Sequence, residues 1–191
     1  MMAKGTTYRL GLKRRRIGRT DYRRRTRYLL SGLPRLVIRR TNAHYFVHVV
    51  VAREEGDLTV ASAHSGELEG DFGWLGHTGS AASGYLTGYL CAKRATKAGV
   101  REAILDAGLT IPEAGSNVFA ALKGTLDGGL KVPCDEGILP PMNRIRGEDL
   151  SKAAEADDSI LRFRKKDLDA ASLPAHFDGV VEKMEGDNKE E

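Results

Sequence analysis

Between Lys4 and Arg40 stand fourteen lysine or arginine side chains and a single acidic one, Asp21. Charge of one sign at that density repels itself and resists packing, so the core must come mostly from the rest of the chain. From residue 41 to 191 the balance reverses, with sixteen basic against twenty-five acidic residues. The overall net charge of +4 thus conceals a +13 segment and a −9 segment. Such asymmetry points to nucleic acid or another anionic surface as partner, because a polyphosphate relieves the repulsion by replacing counterions.

The 191 residues are expected to form one domain with extensions. The longest apolar run, at 45–52, is interrupted by His48 and falls far short of the roughly 20 residues a membrane helix needs. No apolar run follows the basic start, so a signal peptide is not expected, and a mitochondrial transit sequence fits weakly because serines are scarce. Cys91 and Cys134 form no CxxC pair and imply neither a disulfide framework nor a zinc knuckle.

Residues 1–19 show no apolar periodicity and are expected to be an arm. Thr20 or Asp21 can cap a short helix to about Ser31, stopped by Gly32 and Pro34. Tyr28, Leu29 and Leu30 are expected to supply its apolar contact while the arginines face out. Strands are expected at 36–41, 45–53 and 58–64, with tight turns at Asn42-Ala43 and Glu55-Gly56-Asp57, making an antiparallel meander. A glycine-rich loop spans 70–79 and contains Trp74, the only tryptophan, expected as an anchor on the body or a partner. A helix is expected at 80–98, ended by Gly99, then a strand at 102–106 and a helix capped by Ser116. The stripe of that helix is Val118, Phe119, Leu122, Leu126 and Leu130.

The fold class is therefore α/β, a mixed sheet covered by helices, with a basic N-terminal arm and a helical C-terminal extension. Its divisions are 1–32 (arm and short helix), 33–134 (α/β core) and 135–191 (extension). Residues 135–171 are hard to assign. A last helix carries Leu173, Phe177, Val180, Val181 and Met184 in one stripe, expected to pack on the body or a neighbouring protein, ahead of a solvated acidic tail at 185–191. On that reading, deleting 172–191 would leave RNA affinity nearly intact.

The basic segment carries the clearest chemistry. Arginine outnumbers lysine, its planar fork suits bidentate phosphate contacts, and Tyr8, Tyr22 and Tyr28 are placed to stack on unpaired bases. Thr41, Asn42 and His44 at a hairpin tip, with Ser62, His64 and Ser65 ending the third strand, suit sugar and phosphate contacts, although turn chemistry alone accounts for them. No metal site is expected: His44 and His48 share a strand face but lack a third ligand. There is no GxSxG motif, and Cys91 lies in an apolar helix. A two-metal nuclease of the ribonuclease-H-like type needs carboxylates on its first strand, where this chain has arginines, and Asp106 alone cannot hold two metals. The chain is expected to be non-enzymatic, with no cofactor.

Several segments in order resemble the archaeal branch of the large-subunit ribosomal protein L-eighteen family. They include Arg14-Arg15-Arg16 leading to Arg19-Thr20-Asp21-Tyr22, then Ser31-Gly32-Leu33-Pro34 and Thr41-Asn42-Ala43-His44. Further along stand Ala61-Ser62-Ala63-His64-Ser65, Ala82-Ser83-Gly84-Tyr85-Leu86-Thr87-Gly88 and Ile104-Leu105-Asp106-Ala107-Gly108-Leu109. Gly115-Ser116-Asn117-Val118-Phe119-Ala120 and Leu173-Pro174-Ala175-His176-Phe177 complete the set. The resemblance implies a ribonuclease-H-like motif without metal-binding carboxylates and a structural role in the cytoplasm. Its implied partners are 5S rRNA, the 23S-type large-subunit rRNA in the central protuberance, and neighbouring ribosomal proteins, with no membrane. Implied RNA contacts are Arg9, Lys13, Arg14, Arg15, Arg16, Arg19, Tyr22, Arg23, Arg24, Arg25 and Arg27, then Asn42, His44, Ser62, His64 and Ser65. One departure is Ala43, where family members often carry a cation. A general RNA- or DNA-binding module outside the ribosome is the alternative.

Overall fold

The computed structural model describes residues 5–111, 113–156 and 170–187. Two short helices, α1 (Lys13–Arg16) and α2 (Tyr22–Leu30), precede strands β1 (Arg35–Arg40), β2 (Tyr45–Ala52) and β3 (Asp57–His64). Then come α3 (Ser65–Gly70), α4 (Ala81–Lys97), β4 (Ile104–Asp106) and α5 (Asn117–Asp127). Helices α6 (Met142–Arg146), α7 (Glu148–Ala156) and α8 (Leu173–Asp187) complete the order.

The sheet order is β3-β2-β1-β4, with β2 antiparallel to both β1 and β3, and β4 parallel to β1. Alternation along the strands separates two faces. Leu36, Ile38, Val47, Val49, Ala61 and Ala63 are buried on one face, in a core shared with α4 and α5. Arg35, Val37, Arg39, Phe46, His48 and Thr59 fall on the other. Val60 is the extra residue where the β2–β3 register shifts, since Val49 pairs with Ala61 but Val50 with Thr59.

Helices α4 and α5 approach through glycine. A Cβ at Gly124 would overlap the Tyr85 carbonyl oxygen, and one at Gly88 would overlap that of Ala121. Alanine gains about 1 kcal/mol of helix propensity over glycine, whereas forcing two packed helices apart costs about 3 kcal/mol. Gly124→Ala should therefore lower the melting temperature by several degrees. An unchanged melt would mean that the helices separate freely.

Several elements depart from the sequence-based expectation. The third strand runs directly into α3, with His64 as N-cap in a capping box with Glu67. Strand β4 is three residues long, and Glu102 makes only an isolated bridge to Lys131. Helix α5 stops at Asp127, and Leu130 is buried only after a turn at Gly129 with φ 96°. Ser116 occupies the N-cap position of α5, yet its hydroxyl makes no capping bond. Leu29 and Leu30 are exposed, so α2 is not held by the apolar contact expected of them.

Helix α8 belongs to the central core. Phe177, Val180 and Met184 are buried, and the Phe177 ring lies 5.5 Å from that of Tyr85. His176 stacks on buried Trp74 at 5.2 Å, and its Nε2 accepts the Leu75 N–H at 3.1 Å. Trp74 is thus an anchor within the body. Glu185, expected in a solvated tail, accepts the Tyr89 hydroxyl at 3.0 Å, and residues 188–191 lie outside the described residues. Of the two expected places for this stripe, the body is the one it packs on, so removing 172–191 would uncover part of the core. Of the unassigned stretch 135–171, a 3-10 turn at Glu136–Ile138, α6 and α7 are described, and Ile145 joins the core. Residues 157–169 lie outside the described ones.

Candidate nucleic-acid interface

Helix α1 is exposed throughout, and Arg9, Lys13, Arg15, Arg16 and Arg19 project to solvent. Arg14 donates from Nε to the Thr20 hydroxyl at 3.1 Å. Asp21, the one acid of the segment, is the N-cap of α2 and accepts the Arg23 and Arg24 N–H groups at 3.0 and 3.1 Å. The Arg24 backbone N–H, with that of Arg23 and both guanidinium charges, holds the Asp21 carboxyl below the usual range. This acid is required by the helix itself, which explains its place in a basic run.

Helix α2 docks through polar contacts. Tyr22, Arg25 and Tyr28 are half-buried toward the body. Arg25 Nη2 reaches both Asp57 oxygens at 2.9 Å, and Arg24 Nη1 donates to the Gly108 carbonyl at 3.0 Å. Arg23 and Arg27 face solvent. The two sides of one basic helix therefore differ: Arg24 and Arg25 fasten it, and Arg23 and Arg27 remain outward.

Beneath α2 lies a network of guanidinium and carboxylate groups. Arg35, 4% exposed, bridges Asp106 Oδ2 at 3.0 Å and Asp57 Oδ2 at 2.6 Å. Arg39 binds Asp106 Oδ1 at 3.0 Å from the other side. Burial opposes ionisation of Asp57, but the Arg35 and Arg25 guanidinium groups outweigh it and hold the carboxyl below its ordinary range. A cleft of about 850 Å³ between α2 and this sheet face is lined by Tyr22, Tyr28, Arg39, His48 and Thr59. His48 stays below its ordinary imidazole range through burial first, then through Arg39 and His64. Arg35 and Arg39 do not belong to the site set expected from sequence. Their alternation with Leu36 and Ile38 is the signal that places both on the open face.

The hairpin tip forms a second cluster. Thr41 and His44 close the turn, with the Thr41 N–H donating to the His44 carbonyl at 2.8 Å and Asn42 exposed between them. The Thr78 hydroxyl donates to the Ala43 carbonyl at 2.6 Å and ties the tip to the glycine loop. Ser65 is fully buried, its Oγ accepting the Tyr45 N–H at 3.0 Å beside His44 Nδ1 at 3.3 Å. It positions the tip and presents no surface of its own. His64 Nδ1 accepts the Gly66 N–H at 3.0 Å, and its ring lies 5.0 Å from His44 and 4.4 Å from Phe46. Ser62 is exposed on β3, and its carbonyl accepts Arg94 Nη1 at 2.7 Å. Arg94 in turn pairs with Glu67.

Among the described residues no group of three or more His, Cys, Asp or Glu side chains is placed to hold a metal ion. Nor is any described helix long and apolar enough to cross a membrane. Cys91 is wholly buried, and burial pushes its thiol up to about 12.

Two comparisons bear on this arrangement. A family model described as ribosomal large subunit proteins 60S L5, and 50S L18 matches residues 6–103 and 96–135. The chain is 46% identical over 190 residues to the large ribosomal subunit protein uL18 of Methanothermobacter thermautotrophicus, covering 96% of this chain and 98% of that one. It is 45% identical over 193 residues to that of Thermofilum pendens, with 96% and 98% covered. Against that of Halobacterium salinarum the figures are 46% over 181 residues, with 95% and 97% covered.

Proposed function

Because the chain belongs to the family of ribosomal large subunit proteins 60S L5 and 50S L18, we propose that it is a structural constituent of the large ribosomal subunit that binds 5S rRNA. In this role it helps attach 5S rRNA to the 23S-type rRNA in the central protuberance, beside neighbouring ribosomal proteins in the cytoplasm. The observation that carries the reading is charge placed by structure: α1 and the outer side of α2 point Lys13, Arg15, Arg16, Arg23 and Arg27 to solvent, while Arg24 and Arg25 fix the helix on the body.

RNA contact on this reading runs along Arg9, Lys13, Arg14, Arg15, Arg16, Arg19, Tyr22, Arg23 and Arg27, then to Asn42, His44, Ser62 and His64. Arg24, Arg25 and Ser65 act by holding these elements in place. Phosphate contacts set affinity and register, and the rigid hairpin tip and sheet select RNA shape. The architecture is taken to be a ribonuclease-H-like motif opening on an antiparallel meander, with a core at 33–134, an arm at 1–32 and an extension at 135–191. Chemistry on RNA is not part of the role. Its relatives are ribosomal proteins, and the Asp106 carboxylate, which alone could not hold two metals, is engaged by Arg35 and Arg39.

A tagged copy expressed in its host should co-sediment with large subunits and carry 5S rRNA in near-equal amount. Recovery with mixed RNAs and no enrichment of 5S rRNA would favour a general RNA-binding module.

A further inference from the structure

Among the described residues, Phe46 and Leu58 are the large apolar strand residues left exposed, and Phe46, 38% exposed, lies on the open face among polar neighbours. The cleft beside α2 is lined by Arg35, Val50 and Thr59 at the other end of that face and does not reach Phe46. Across the strands Phe46 pairs with Arg39 on one side and His64 on the other. The His64 ring lies 4.4 Å from it and the His44 ring 5.0 Å beyond. The proton of His64 is also placed. Because Nδ1 accepts the Gly66 N–H, neutral His64 carries its hydrogen on Nε2, which has no partner among the described residues.

We propose that Phe46, flanked by His64, is a stacking platform for one unpaired nucleobase of the bound RNA. The proposal rests on the RNA-binding role above and adds to it the residue that receives a base. An aromatic face beside an N–H donor offers what an unstacked base requires: a surface for its ring and a donor for an acceptor on its edge. A regular A-form helix presents no free ring faces, so the ligand is a loop or bulge nucleotide. Stacking adds affinity without releasing counterions, which separates this site from the basic arm.

The test uses the full chain and 5S rRNA with tRNA as control, titrated at several salt concentrations. Phe46→Leu should bind 5S rRNA about tenfold more weakly with an unchanged slope of log affinity against log salt. Phe46→Trp should keep near-parental affinity, and its emission should be quenched on binding, against a background of the one native tryptophan, buried Trp74. Parental affinity in Phe46→Leu, or unquenched emission of Phe46→Trp at saturating 5S rRNA, overturns the platform alone. A parent protein that binds tRNA as well as 5S rRNA overturns the functional reading, and the platform with it.

Discussion

Truncation after residue 172 should produce a protein without a cooperative thermal transition. Three side chains of α8, Phe177, Val180 and Met184, are buried in the central core, and their removal also uncovers Tyr85 and Trp74. Each large apolar side chain contributes about 1.5–3 kcal/mol on burial, so the three together approach the roughly 5–15 kcal/mol that holds a domain folded. The polar losses add to this: the Leu75 N–H loses its acceptor on His176, and Tyr89 loses Glu185. Circular dichroism during heating reads the outcome. A sharp melt close to that of the parent would show that α8 is an appendage. On the proposed reading the acidic C-terminal segment acts on RNA binding only through the fold, by packing on α4.

The second large effect concerns affinity. Replacing Arg15, Arg16, Arg23 and Arg27 together by alanine should leave the melting temperature nearly unchanged, since all four are exposed. If each reaches a phosphate, the slope of log affinity against log salt becomes shallower by about 3.6, and affinity at roughly 0.1 M salt falls about a thousandfold or more. Arg25→Ala should behave differently. It removes the ion pair to Asp57 that seats α2, so its effect lies in how the helix is held. Filter binding across a salt series distinguishes the two variants. A fourfold variant that still binds within threefold of the parent would remove the arm from the interface.

Local chemistry is readable wherever cause and effect lie close together in the chain. Asp21 is visible as a cap, Gly99 as a helix stop with φ 84°, and the alternation of Leu36 and Ile38 as a strand face. Distance along the chain hides the rest. Arg25 looks like a phosphate ligand until Asp57, 32 residues away, is brought beside it, and Arg24 finds the Gly108 carbonyl 84 residues away. Leu29 and Leu30 look like docking residues, yet α2 is seated by ion pairs and leaves Leu30 81% exposed. Helix α3 is six residues long, too short for periodicity to reveal it, although the His64–Glu67 capping box is written in the sequence. Ser65 looks like one more exposed polar residue, because its burial is decided by the start of α3 and by the Tyr45 N–H. Residues distant in sequence determine which side of a charged element faces water, and that choice separates arginines left open to solvent from those held on the body.

The most direct measurement is competitive binding of the full chain to 5S rRNA and to tRNA, titrated across salt. A preference for 5S rRNA of about a hundredfold that persists as salt rises is the expected result, because selection by the rigid hairpin tip and sheet does not depend on counterion release. Equal affinities that collapse together with salt would contradict it, leaving the basic arm as a general binder of polyphosphate.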